Sequence, residues 1–164
     1  ILHHRGRTLL SDPGHSSYST PEYDGYYRQS VAHNVVTVDG KAEPPSDLYD
    51  GSHFPGKIDH LIDTPGFRYL WADATGPTSR YFQRNFRNIL WVGDTILLLD
   101  DQRAWTIGQY EWLLHYQGSA TREGQVVRIA DEGAEVDVRP LFPQPLPDGG
   151  LPTAAPAAAA APAN

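Results

Sequence analysis

The chain has 164 residues, 40% of them hydrophobic and 11% aromatic, which is enough to bury the core of one globular domain. Its formal net charge of −7 argues against a nucleic-acid-binding protein, because neutralising phosphates requires a basic face. Cysteine is absent, which excludes disulfide frameworks, thiolate-bound zinc and thiol nucleophiles. No apolar run approaches the roughly 18 residues of a membrane-spanning helix, so we expect no membrane span.

The first part of the chain predicts short strands and a loop. Residues Ile1–Ser11 predict a strand pair, or one bent strand, broken at Gly6. The tripeptide Asp12-Pro13-Gly14 is a turn signal with Pro and Gly in favoured positions. Residues 15–25 are rich in Ser, Tyr, Pro and Gly and lack periodicity, which predicts an exposed connection.

A strongly β-prone segment follows this loop. Val35, Val36 and Val38 are β-branched strand formers, and Asp39-Gly40 suits the positive φ angles of a hairpin turn. We expect His33 to begin this strand. A His at a strand end is held by the ladder behind it and open to solvent ahead, which is how a ligand or a general acid or base is presented.

The rest of the chain predicts further strands. Residues 86–91 and 95–99, joined by Val92-Gly93-Asp94, predict a hairpin. Tyr110–Gln117 favours a strand because of its aromatic residues, with a helix as the alternative. Other strands are predicted at 57–61, 67–74, 125–130 and 135–139. Many short strands and almost no helical pattern predict an all-β fold, specifically an antiparallel β-sandwich.

The composition changes abruptly at Pro143 to Pro, Ala and Gly. Five alanines between prolines fall short of the roughly 12 residues that an isolated helix needs, so residues 143–164 are predicted to form a disordered tail. Residues 1–142 are predicted to form the folded domain. The chain contains no Met, and we therefore interpret it as part of a longer protein that begins before Ile1.

Asp12, Arg28, His33 and Asn34 are candidate functional residues, and each has a structural alternative. Asp12 could cap its own turn, and Asn34 could satisfy a nearby backbone group. His33 could be a hydrogen-bonded structural residue instead of an acid, a base or a ligand. Arg28 could bind a substrate carboxylate in bidentate fashion or form a structural ion pair.

Three motifs occur in a fixed order: GRTLLSDPG at Gly6–Gly14, then Tyr27-Arg28, then AHNVVTVDG at Ala32–Gly40. Together they resemble the C-terminal β-sandwich region of the heparinase II/III-like polysaccharide lyases. Later segments agree, since RNFRNILWVGDTILLLDD resembles the family's basic hairpin that ends in an acidic residue, and EWLLHYQG resembles its His-bearing strand. In this sequence those positions are Arg84, Arg87, Asp100 and His115. The resemblance covers about residues 1–142.

The resemblance implies that the full protein joins an N-terminal α/α toroid, missing from this chain, to the β-sandwich, with the substrate cleft between them. Family members cleave acidic polysaccharides such as heparan sulfate or alginate by β-elimination, with Tyr and His as acid and base. We therefore expect a periplasmic or secreted polysaccharide lyase that acts on uronate-containing glycans. The isolated chain lacks the toroid residues and is expected to have little or no activity.

The resemblance also implies roles for individual residues. His33 is the expected catalytic residue, and Arg28, Asn34 and Tyr27 are expected to contact substrate, although aromatic residues near a strand more often pack in a core. Asp12 and His33 match two zinc ligands of zinc-containing relatives, with a third ligand expected upstream of residue 1. The alternative function is a non-catalytic carbohydrate-binding or structural module, because fold alone does not establish function.

Overall fold

The computed structural model describes residues 1–43 and 53–141. These residues form antiparallel strands with little helix, which confirms the predicted all-β class. The tail predicted at 143–164 lies outside the described residues. No helix in the described ranges is long and apolar enough to cross a membrane.

Eleven strands and three short helical segments occur in the described residues. The strands are β1 (Leu2–His4), β2 (Arg7–Leu10), β3 (Val36–Val38), β4 (Lys57–Thr64), β5 (Phe67–Asp73), β6 (Phe82–Val92), β7 (Thr95–Ala104), β8 (Tyr110–Trp112), β9 (Ser119–Glu123), β10 (Val126–Asp131) and β11 (Ala134–Val138). The helical segments are a π-helical turn (Tyr23–Tyr27), a 3-10 turn (Ser30–Ala32) and α1 (Thr75–Thr78). The chain divides into two compact units, one of residues 1–2 and 10–116, the other of residues 3–9 and 117 onward.

The larger unit contains a four-stranded antiparallel meander in the order β4-β5-β6-β7. The predicted hairpin is confirmed, with Val92 opposite Thr95 across the two-residue turn Gly93-Asp94. Gly93 has φ +55°, a value that favours glycine. Both strands are longer than predicted. Polar residues at the start of β6 and at the end of β7 continue the hydrogen-bonded ladder beyond the apolar run.

A second sheet of the larger unit pairs β3 with β8, with Val36 opposite Trp112 and Val38 opposite Tyr110. The strand predicted within 110–117 is confirmed for its first three residues, and the helix alternative is wrong. The predicted turn after β3 is also confirmed, since Asp39 and Gly40 both have positive φ angles. A core cluster of Val38, Ala42, Phe82 and Ala104 joins β3 to the start of β6 and the end of β7.

The smaller unit contains the meander β9-β10-β11, in which Ile129 and Ala134 are buried. Its other part surrounds Gly6. The strand pair predicted there is confirmed, since β1 and β2 form a hairpin that turns at Gly6. Arg5 donates to the carbonyl oxygen of Gly133, and Arg7 forms an ion pair with Glu132. These two arginines fix the hairpin to the β10–β11 turn.

Two local predictions differ from the structure. His33 does not begin a strand: it follows the 3-10 turn Ser30–Ala32, and β3 begins three residues later at Val36. The segment predicted as a loop without helix contains most of the π-helical turn Tyr23–Tyr27. In both places short-range backbone bonds form in a segment rich in polar residues and tyrosine, where side-chain periodicity gives no signal.

Candidate functional site

Asp12 uses its two carboxylate oxygens for different purposes. Oδ1 accepts the backbone N–H of Gly14 at 2.9 Å, which closes the Asp12-Pro13-Gly14 turn. Oδ2 lies 2.8 Å from Nδ1 of His33. The Asp12 side chain therefore both caps its own turn and pairs with His33.

His33 is held between two hydrogen-bond acceptors. Its Nδ1 meets the Asp12 carboxylate, and its Nε2 lies 2.9 Å from the carbonyl oxygen of Tyr27. A carbonyl and an ionised carboxylate only accept, so making both bonds requires hydrogen on both ring nitrogens. The His33 side chain is 33% exposed and therefore remains reachable from solvent.

The environment of Asp12 favours its ionised form. Partial burial acts to raise its pKa, but the hydrogen bonds from His33 and Gly14 and the charges of His33 and His115 together hold the pKa below its ordinary value. Asp12 is consequently a carboxylate at neutral pH. A carboxylate next to an imidazolium forms a charge-assisted hydrogen bond, which fixes the ring orientation.

Asn34 connects three separate segments of the chain. Its Nδ2 donates to the carbonyl oxygen of Ser11 at 2.8 Å, and its Oδ1 accepts the backbone N–H of His115 at 2.6 Å. The ring Nδ1 of His115 also lies 3.2 Å from that oxygen. Ser11 donates its own N–H to the carbonyl oxygen of His115 at 3.0 Å. Asn34 therefore positions the residue that precedes Asp12.

Arg87 holds the same segment from the side of the four-stranded sheet. Its Nη1 donates to the carbonyl oxygen of Asn34 at 2.6 Å, while Nε and Nη2 donate to the two oxygens of Asp100 at 2.7 and 3.0 Å. The bidentate pair fixes the guanidinium plane. The motif resemblance pointed to Arg87, Asp100 and His115, but the bonds of Arg87 and His115 to Asn34 carried no sequence signal.

The structure places Arg28 and Tyr27 in other contacts. Arg28 donates to Asp24 at 2.7 Å, one helical turn earlier, and its guanidinium lies 5.8 Å from the ring centroid of Tyr23. Tyr27 meets His33 through its backbone carbonyl, and its ring packs edge-on against Tyr26. Direct substrate contact by Arg28, Asn34 and Tyr27 stays a prediction.

Tyr26 is an additional titratable group near the pair. Partial burial, followed by the neighbouring Tyr27 and the Asp12 carboxylate, raises the pKa of the Tyr26 phenol above its ordinary value. The phenol therefore holds its proton more tightly than an ordinary tyrosine does. Nothing in the sequence distinguishes Tyr26 from the adjacent Tyr27.

As arranged, the Asp12–His33 pair does not fit a zinc site. A zinc-bound imidazole needs one ring nitrogen with a free lone pair, whereas both nitrogens of His33 face acceptors. Among the described residues, no group of three or more His, Asp or Glu side chains is placed to hold a metal. Zinc binding would require His33 to turn away from Asp12 or from the Tyr27 carbonyl.

A protein-family model with the description "Heparinase II/III-like, C-terminal" matches residues 1–138. This range contains Asp12, Tyr26, His33, Asn34, Arg87 and His115. No curated protein matches the sequence.

Proposed function

The chain belongs to the heparinase II/III-like family, whose C-terminal domain its residues 1–138 match, and on this premise we propose that its parent protein is a polysaccharide lyase. The proposed substrates are uronate-containing acidic glycans of the heparan sulfate or alginate type. The proposed reaction is β-elimination. This chain contributes the β domain, and the toroid contributes the remaining catalytic groups.

The Asp12–His33 pair is the observation that supports this proposal most directly. β-Elimination from a uronate generates negative charge on the carboxylate as the C5 proton leaves, and a nearby cation stabilises that charge. His33 is suited to this role because hydrogen bonds to both of its acceptors require a hydrogen on each ring nitrogen. Asp12 keeps the ring oriented, as a positioning carboxylate does for a catalytic imidazole.

In the proposed reaction a base removes the C5 proton, a C4–C5 double bond forms and the C4–O4 bond breaks. The leaving O4 takes up a proton, and no water is consumed. His33 faces the uronate with the N–H that otherwise contacts the Tyr27 carbonyl. Tyr26, whose phenol lies within electrostatic reach of Asp12, is the proposed proton donor in this chain.

We assign supporting roles to the other candidates. Asn34 holds the Ser11–Asp12 segment, since its amide is occupied by Ser11 and His115. Arg28, whose side chain is 18% exposed, can exchange Asp24 for a substrate carboxylate, because the Asp24 side chain is 73% exposed and can move into water. Tyr27 contributes its carbonyl group to the placement of His33.

A non-catalytic glycan-binding module is the second candidate function. It is favoured by one observation, the occupation of both His33 nitrogens by protein acceptors, which is also how a structural histidine is held. In that case His33 stabilises the fold and takes no part in proton transfer.

The two candidates are separated by assaying the full-length parent on a panel of acidic polysaccharides, following the absorbance of the unsaturated uronate product. We expect the parent to form this chromophore and His33→Ala to abolish it. The matched control is His60→Ala, since His60 is stacked on Trp71 in the four-stranded sheet and should not affect turnover. A parent that binds glycans without forming the chromophore, or a fully active His33→Ala variant, contradicts the proposed role.

Zinc binding, which would require His33 to turn away from one of its two acceptors, and a periplasmic or exported location are further proposals based on the family resemblance. Zinc is tested by titrating the metal into the full-length parent with calorimetric detection, with Asp12→Asn in parallel. Stoichiometric binding that Asp12→Asn removes supports the zinc proposal, and absence of binding rejects it.

A further inference from the structure

Two adjoining clefts of the larger unit lie at the end of β3 that is remote from His33. The first has a volume of about 390 Å³ and includes Gln83, Gln102 and Arg103 in its lining. The second has a volume of about 210 Å³ and is lined in part by Lys41 and Arg80. Trp105 and Thr106 line both, so the two clefts form one continuous surface around the Trp105 side chain. The first cleft alone is within the range of roughly 300–1,000 Å³ that is typical of small-ligand sites.

The charges around these clefts are unusual for so acidic a chain. Within the larger unit, the described Arg and Lys side chains outside the clefts are each in an ion pair with a described Asp. Lys41, Arg80 and Arg103 are the remaining three, and none is in an ion pair with a described carboxylate. Three cations without an ion-pair partner among the described residues therefore surround one aromatic side chain. They outnumber Asp39, the one described carboxylate in the lining of the clefts, which gives a local positive field.

Trp105 is exposed but fixed in position. Trp105 is 60% exposed, and its indole Nε1 donates to the carbonyl oxygen of Ser79 at 2.8 Å. Its backbone N–H donates to the carbonyl oxygen of Tyr81 at 3.1 Å. The Lys41 ammonium lies 6.0 Å from the ring centroid of Tyr81, in cation–π range. An indole held by its edge presents its face to a ligand with little loss of side-chain entropy.

The loop that carries Trp105 is anchored to β3. Asp39 accepts the backbone N–H of Gln109 at 2.9 Å and donates its own N–H to the carbonyl oxygen of Gln109 at 2.8 Å. Gly108 lies so close to this turn that a Cβ there would be 2.6 Å from Asp39 Oδ2 and 2.7 Å from Val38 Cγ2. The clefts are therefore formed before any ligand arrives, and one Asp39 oxygen is already engaged by the backbone.

We propose that the Trp105 clefts bind an acidic oligosaccharide at a site separate from the Asp12–His33 pair. The face of a pyranose ring packs against the indole, which removes apolar surface from water. Uronate carboxylates or sulfates pair with Arg80, Arg103 and Lys41. Gln83 and Gln102 offer amide donors and acceptors for sugar hydroxyl groups.

The choice of a glycan, as opposed to another anion, rests on the proposed function. The site would hold a stretch of polymer away from the reaction and raise the local concentration of chain ends at the catalytic cleft. An acidic polypeptide segment is the competing occupant, since it would satisfy the cations without stacking on Trp105.

The test is calorimetric titration of the 164-residue chain with alginate and heparan sulfate oligosaccharides, using a His33→Ala background so that the Asp12–His33 pair cannot contribute its cation. We expect Trp105→Ala and Arg103→Gln each to weaken binding about tenfold. Trp91→Ala and Arg84→Gln are the matched controls, because they remove an exposed indole and an exposed guanidinium outside the clefts. Circular dichroism melting of each variant confirms that the fold is retained.

Binding that both cleft variants weaken and both controls preserve supports the proposal. Equal affinity in all variants overturns it, as does a neutral oligosaccharide that binds as tightly as alginate. Poly-glutamate that competes with the same variant dependence overturns the glycan assignment in favour of an acidic polypeptide. Since none of these titrations measures turnover, a parent without lyase activity leaves their outcome unchanged, and the two proposals fail separately.

Discussion

Asn34 Oδ1 accepts the backbone N–H of His115 at 2.6 Å, so two segments 81 positions apart meet on one amide oxygen. The same amide donates to the Ser11 carbonyl. Asn34→Ala leaves both part-buried backbone groups without this partner, and we expect it to lower the free energy of unfolding by about 2 kcal/mol. Urea denaturation of the 164-residue chain measures this loss.

Asn88→Ala is the control for Asn34→Ala, since the Asn88 amide joins only neighbouring strands of the four-stranded sheet. We expect it to cost less than about 1 kcal/mol. Equal losses of unfolding free energy in the two variants would contradict a larger stabilising contribution from the hydrogen bonds of Asn34.

Arg87 and Arg84 provide a second matched pair on one hairpin. Both pair with an Asp on β7, but Arg87 and Asp100 are 26% and 12% exposed, whereas Arg84 and Asp101 are 44% and 47% exposed. Arg87→Gln leaves Asp100 partly buried without its partner and should cost about 2 kcal/mol, because an unpaired buried charge is unfavourable. Arg84→Gln should change stability by less than about 0.5 kcal/mol.

The measurement for this arginine pair is the midpoint of chemical denaturation at low and high salt. The smaller effect of Arg84→Gln should vanish at high salt, because exposed pairs are screened. A larger loss for Arg84→Gln than for Arg87→Gln contradicts the burial argument.

Thr37 has a buried hydroxyl that makes no hydrogen bond to the described residues, although the residue is fully buried on β3. Replacing it with the isosteric Val removes an unsatisfied polar group, and Thr37→Val should stabilise the chain by about 1 kcal/mol. Thr78 is a matched contrast, since its hydroxyl donates to Ala74 and accepts from Asn85. Thr78→Val should destabilise the chain, and thermal melts that rank the variants in the opposite order refute the prediction.

The lowered pKa of Asp12 predicts that the stability of the fold decreases at acidic pH. Its pKa is lower in the folded chain than in the unfolded chain, so its stabilising contribution is complete above the unfolded value of about 3.9 and is lost as pH falls through the folded value. Asp12→Asn removes this contribution. The difference in unfolding free energy between the two proteins should therefore have its full value above about pH 5 and should shrink steadily below about pH 4. A difference that grows on acidification rejects the assignment.

The apolar strands of the fold could be predicted from the sequence, because the residue pattern that indicates each strand lies within the strand itself. The run from Asn88 to Leu99 contains two β-prone segments and a Gly-Asp turn, and the hairpin follows from these alone. The strand β9 (Ser119–Glu123) was not predicted, because its sequence SATRE has no apolar alternation. It forms by pairing with β10, whose Val126, Val127 and Ile129 supply the hydrophobic side chains.

The candidate site was predictable only in part. Motif resemblance identified Asp12 and His33, and the structure places them 2.8 Å apart. The second partner of His33 is a backbone carbonyl, which every residue carries and no sequence pattern identifies. The bonds from Asn34 to Ser11 and His115 depend on the tertiary fold, so the residue's identity could be noted but its partners could not.

The strand β4 lies at one end of its described sheet, and all eight of its residues are exposed. Ile58, Leu61 and Ile62 on this strand would favour edge-to-edge aggregation, whereas the charged Asp59 and Asp63 oppose it. Such gatekeeper charges act on the encounter between molecules and add little to the stability of one molecule. We therefore expect the colloidal behaviour of this chain to depend on the charged side chains at one sheet edge, where Asp59 pairs with Lys57 and Asp63 pairs with Arg68. A variant with an unchanged melting temperature can then still precipitate when one of these charges is lost.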